Sequence, residues 1–116
     1  GTANKEARDV LATLHNPHIA LFATAGVPPQ MAHAKESLIN AANCLPDGVE
    51  PVGTFICQGK VDPKVIEMMY KMFPKGHSHG QSADRDARHK QAAVHPNEDD
   101  CKAAQEFAKD ILTKLN

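Results

Sequence analysis

A chain of 116 residues, 41% hydrophobic and 23% charged, is one domain's worth of ordinary globular sequence, or part of one. Thirteen basic against fourteen acidic residues leave a formal charge of −1, so no global field directs the chain to nucleic acid or an anionic membrane. No apolar run approaches the roughly 18–20 residues of a membrane span, and four Phe, one Tyr and no Trp are too few for a base-stacking platform.

The N-terminal Gly1-Thr2-Ala3-Asn4-Lys5-Glu6 does not read as a signal peptide, and without an initiator Met the chain reads as processed or truncated. Ala3, Ala7, Val10, Leu11 and Leu14 recur at helical spacing behind the cap candidate Thr2, and Pro17 ends that helix. The run "HIALFAT", His18–Thr24, is apolar without alternation and predicts a strand buried on both faces. It breaks into Gly26-Val27-Pro28-Pro29, and a helix begins near Pro29 with Met31, Ala34, Leu38, Ala41 and Leu45 on one face. After the turn Leu45-Pro46-Asp47-Gly48, residues Val49–Cys57 read as a second strand, with Pro51 tolerable near its start.

Asp62-Pro63 then supplies a cap and a first-turn proline for a short helix to Met72. A Gly-, Ser- and His-rich loop, Phe73–Ser82, leads to a modest helix over Ala83–Val94 capped by Ser82. Asn97, followed by Glu98-Asp99-Asp100, opens the last helix, whose apolar face is Cys101, Ala104, Phe107, Ala108, Ile111, Leu112 and Leu115. Two strands joined through a helix make a parallel βαβ unit. The whole reads as an α/β doubly wound arrangement with too few strands, so strand 18–24 has an open edge.

The segments "GTANKEARDVLATL", "HIALFATAG" leading into "HAKESL", "VGTFICQGKVDPKVIEMMYKM" and "HPNEDD" resemble the C-terminal half of a flavodoxin-like domain, specifically a bacterial group sometimes linked to bilin reduction. The resemblance implies a five-stranded parallel sheet with FMN at the carboxyl ends of its strands. It assigns strands 18–24 and 49–57 to the fourth and fifth positions. The first three strands, two helices and the hydroxyl-rich phosphate loop are then absent, and no T-x-T-G-N-like segment replaces that loop. By the same resemblance Thr24, Ala25, Gly26 and Val27 lie beside the isoalloxazine ring, Gly1-Thr2 trails the other ring-flanking loop, and Gln58-Gly59 follows the fifth strand. A plain strand-to-helix turn remains the competing reading of Thr24–Val27.

Cys44, Cys57 and Cys101 are odd in number and widely spaced, which reads as free thiols in a reducing, cytoplasmic compartment. Cys57 reads as a core-edge thiol rather than a nucleophile. His77, His79 and His89 invite a metal reading, but a solvated loop is the better one. His33 either tunes a nearby flavin or sits on a helix surface. Met68, Met69 and Met72 with Tyr70 and Phe73 form either a docking patch or short-helix packing. The expected function is FMN-dependent electron transfer in the parent domain, with no catalytic side chain and a redox partner protein. The alternative is a non-catalytic α/β module that pairs strand 18–24 with a second copy, as a homodimer, or with the missing N-terminal half.

Overall fold

In the computed structural model, which describes residues 1–116, the chain runs α1 (Lys5–Leu11), β1 (Ala20–Ala25), α2 (Ala32–Ala42), β2 (Gly53–Gln58), α3 (Pro63–Met72), α4 (Ala83–Ala92) and α5 (Glu98–Leu115). The architecture is α/β. The two strands pair in parallel, from Ala20 opposite Gly53 to Ala25 opposite Gln58.

Three helices start where the expected side chain caps them. Asp62 accepts from the Lys64 N–H at 2.9 Å, Ser82 from Arg85 at 3.1 Å, and Asn97 from Asp100 at 2.9 Å. The first helix departs from expectation because Asn4, not Thr2, takes the Ala7 N–H at 2.8 Å. The second begins at Ala32 rather than near Pro29, because Pro28–Met31 closes a separate turn, Met31 N–H to Pro28 C=O at 3.1 Å. Both strands are shifted from their predicted spans. The Val52 N–H reaches Ile19 C=O at 2.7 Å, and the ladder begins one residue later. Pro51 has no N–H to extend it upstream.

The core lies on one side of this small sheet, where Ile19, Leu21 and Leu45 are packed by Leu11, Leu14, Ala41, Ala42 and Val49. The expectation that the first strand is covered on both faces is not met. Leu21 is buried, whereas Ala20, Phe22 and Thr24, on the opposite face, are exposed. The cause is the placement of α5, which packs over β2: Phe107 stacks on Phe55 with ring centroids 5.6 Å apart. Gly53 lets that helix approach, since a Cβ there would lie 2.5 Å from Ile111 Cδ1. The apolar face of α5 is therefore only partly covered. Ala104, Phe107 and Ile111 are half-buried, while Cys101, Ala108, Leu112 and Leu115 are exposed.

Between β1 and α5 this leaves an apolar groove of about 650 Å³, walled by Phe22, Phe55, Cys57 and Phe107. Nine of 116 residues are buried, and the radius of gyration is 16.0 Å, against about 13 Å for a compact domain of 100 residues. The sheet has more apolar surface than these 116 residues cover. All three cysteines are free thiols, and no helix is long and apolar enough to cross a membrane.

Candidate functional site

In open parallel α/β sheets, ligands bind beyond the carboxyl ends of the strands. A cavity of about 570 Å³ opens at that end of β1, a volume typical of small-molecule sites. Thr24, Ala25, Gly26 and Val27 line it together with Gly1 and Thr2. The two chain segments that sequence reasoning placed on either side of a flat ring thus meet in one cavity. Gly1 is held there by its C=O, which accepts from Asn40 Nδ2 of α2 at 2.8 Å.

Gln58 and Gly59 have a different place. Neither lines the cavity; they hold the loop from behind. Gln58 is buried and donates through Nε2 to the Gly26 C=O at 3.2 Å, and the Gly59 N–H donates to the Ala25 C=O at 2.8 Å. A Cβ at Gly59 would lie 2.9 Å from Thr24 Cβ, so the chain passes directly under that residue. A Cβ at Gly26 would collide with Val61 Cγ2, so this glycine's smallness serves packing inside the protein.

The carbonyls of Ala25 and Gly26 are engaged in this way, whereas the N–H groups of Gly26 and Val27 have no acceptor in the protein. Two successive free donors beside a strand end suit the carbonyl oxygens and N5 of a flavin ring, so the ring side of FMN fits these residues.

His33 and Ser37 of α2 border the cavity next to Gly1. The loop after α3 contributes Ser78 and His79, and α4 contributes Arg85, Arg88 and His89. Sequence reasoning missed the two arginines. They stand on a polar helix with no motif, and only the packing of α4 brings them to the β1 loop. No three His, Cys, Asp or Glu side chains converge in the structure. His77 and His79 instead gather around Phe73, with ring centroids 4.6 and 5.3 Å from it.

His89 is fixed by Tyr70, whose hydroxyl lies 3.0 Å from His89 Nδ1 and 3.0 Å from Asp86 Oδ1. Burial, with help from the Arg85 charge, holds the His89 pKa below its ordinary value. Cys57 is buried on the groove side of the sheet, and burial pushes its thiol pKa up, with Asp100 adding to the effect. A raised thiol pKa disfavours nucleophilic chemistry there. The methionines divide: Met69 lines the cavity, while Met68 and Met72 are exposed on α3.

A parallel β-α-β unit with a cavity at the carboxyl ends of its strands is the arrangement of an α/β domain that takes ligands at its strand ends. A family profile described as flavodoxin domain matches residues 1–109, and the chain belongs to that family. The match takes in nearly the whole chain and does not mark it as a C-terminal half. The chain is 30% identical over 120 residues to the flavodoxin-like domain-containing protein BilS of Clostridioides difficile (strain CD3), covering all of this chain and 66% of that protein. It is 34% identical over 92 residues to the BilS protein of Clostridium symbiosum (strain WAL-14163), covering 78% of this chain and 48% of the relative. No solved structure matches.

Proposed function

We propose that this chain carries the ring side of an FMN-dependent electron-transfer site and that the domain is completed by strands added at the open edge of β1. The observation that carries the reading is the meeting of Gly1-Thr2 and Thr24–Val27 in one cavity with the Gly26 and Val27 N–H groups free. FMN, when bound, supplies one- and two-electron redox chemistry. The chain's own residues do the rest. The β1 loop offers hydrogen-bond donors, Gln58 and Gly59 hold that loop from behind, and His33 borders the cavity. The phosphate clamp belongs to the added strands, since no hydroxyl-rich loop stands at a helix N-terminus here. A redox partner protein and a reducing cytoplasmic setting, suited to three free thiols, complete the proposal.

Fluorescence titration of FMN with the purified chain tests it. Saturable quenching, weaker than in a complete domain, is the expected result. Absence of quenching overturns the flavin reading, and tight stoichiometric binding overturns the claim that the clamp lies elsewhere. A second reading, self-association of a non-catalytic module through β1, is favoured by Phe22, which is 81% exposed on an open sheet face. A sedimentation profile that stays monomeric at micromolar concentration removes it.

A further inference from the structure

Arg85, Arg88 and His89 lie three and four residues apart on α4, so they share one helical face. All three line the cavity that Thr24–Val27, at the end of β1, also line. Both arginines are half-buried, and neither has a carboxylate within ion-pair distance. The neighbouring carboxylate, Asp86, is engaged elsewhere, by the Tyr70 hydroxyl at 3.0 Å and by Gln81 Nε2 at 3.2 Å. Partly desolvated guanidinium groups ordinarily find an anion, because burial without one is costly. Two of them in one concavity raise that cost by mutual repulsion. The positive field registers on His89, whose protonation is disfavoured by burial first and then by Arg85, with Arg88 contributing.

We propose that Arg85 and Arg88 form an oxyanion subsite in this cavity, binding a phosphate or carboxylate group of a small ligand. Guanidinium groups match such oxygens through paired N–H donors, and an anion placed there relieves the repulsion between them. Ser78 and His79 line the same cavity and add donors from the loop after α3. The subsite stands on the arginine geometry and does not require the flavin reading. Its oxyanion has two sources: the carboxylate of a second molecule beside the flavin, or the phosphate of FMN itself, in which case the clamp assigned above to the added strands lies here instead.

The test is an NMR titration of the whole chain with inorganic phosphate and, separately, succinate at constant ionic strength, read at the arginine Nε–H resonances. Saturable shifts at Arg85 and Arg88 are expected. The R85Q/R88Q variant should weaken the apparent affinity by about ten-fold or more, since charged hydrogen bonds of this kind carry such a factor. R85K/R88K, which keeps the charge and loses the paired donors, should fall between the two and serves if R85Q/R88Q does not fold. Shifts that chloride reproduces at equal ionic strength overturn the proposal, as does undiminished saturation in R85Q/R88Q.

Parallel titrations with FMN and riboflavin identify the source. A preference for FMN that R85Q/R88Q abolishes assigns the oxyanion to the cofactor phosphate. Equal affinities, with succinate still saturating, assign it to a second ligand's carboxylate. If neither flavin binds, the phosphate and succinate arms still decide the subsite, so the two proposals fail separately.

Discussion

Phe22 and Phe55 face each other in the β1–β2 register and project from the same side of the sheet, yet only one of them is covered. Phe55 is stacked on Phe107, with centroids 5.6 Å apart, whereas Phe22 is 81% exposed. The two rings differ in what their removal costs. Phe55→Ala should destabilise by about 2 kcal/mol, below the range for a fully buried Phe because the ring is half-buried. Phe22→Ala should stay within about 0.5 kcal/mol. Urea denaturation midpoints measure both. A cost at Phe22 equal to that at Phe55, growing with protein concentration, means that a second copy covers Phe22. Phe22→Asp should then abolish the concentration dependence.

Local signals were legible in the sequence and partner-dependent ones were not. Asp62, Ser82 and Asn97 each cap the helix they were expected to cap, because a cap is written within four residues. The parallel order of the strands was equally legible, because a helix joins them. The cover on β1 was not. A run such as Leu21-Phe22-Ala23 shows that both faces are apolar, but not which face the rest of the chain reaches. The site divides in the same way. Thr24–Val27 announces itself as a strand running into Gly-Val-Pro-Pro, whereas Arg85 and Arg88 reach the same cavity only through tertiary packing. Gln58 shows the converse. It was expected to follow the strand; it is instead the last residue of β2, and its buried amide supports the Gly26 carbonyl and does not face the cavity.

Gly26 offers a way to separate packing from ligand approach. A methyl group there meets Val61 Cγ2, so Gly26→Ala should displace the β1 loop and cost about 1–3 kcal/mol, as overpacking does. Shortening the opposing side chain restores the room. The G26A/V61A double variant should recover most of the loss relative to the two single variants, giving a coupling of about 1 kcal/mol or more in a double-mutant cycle. Additive losses in thermal or urea unfolding would show that Gly26 is required for its backbone conformation and not for space.

Asp100 links the start of α5 to acid stability. Its carboxylate lies 2.6 Å from His95 Nδ1 and accepts from the Asn97 N–H at 2.8 Å, closing a capping box. The His95 hydrogen bond first, and the Asn97 N–H second, hold its pKa below the ordinary carboxylate value. A carboxyl depressed in the folded state contributes stability that is fully present above the unfolded value, about 3.9, and is lost as pH falls through the folded one. Asp100→Asn keeps an acceptor for Asn97 and should flatten this acid limb. Asp100→Ala should in addition lose about 1 kcal/mol at neutral pH with the cap. Unfolding midpoints across the acid range distinguish the two variants.

The Tyr70 hydroxyl sets the tautomer of His89. It has one proton and two neighbours at 3.0 Å, and Asp86 Oδ1, a carboxylate oxygen, can only accept. The proton therefore goes to Asp86, and the hydroxyl oxygen accepts from His89 Nδ1–H, which leaves Nε2 bare in the neutral ring. The charged and titratable groups around this ring are Arg85, Arg88 and Asp86 on α4 and Tyr70 on α3. Burial and the arginines lower the His89 pKa, so the unfolded chain takes up the proton first. Stability should fall as pH drops through the ordinary imidazole range near 6.5, levelling once the depressed folded value is passed. Arg85→Gln removes a cation beside the ring and should raise the His89 pKa and shrink that slope. Long-range nitrogen–proton NMR reads the tautomer directly, and a neutral ring protonated at Nε2 would refute this hydrogen-bond assignment.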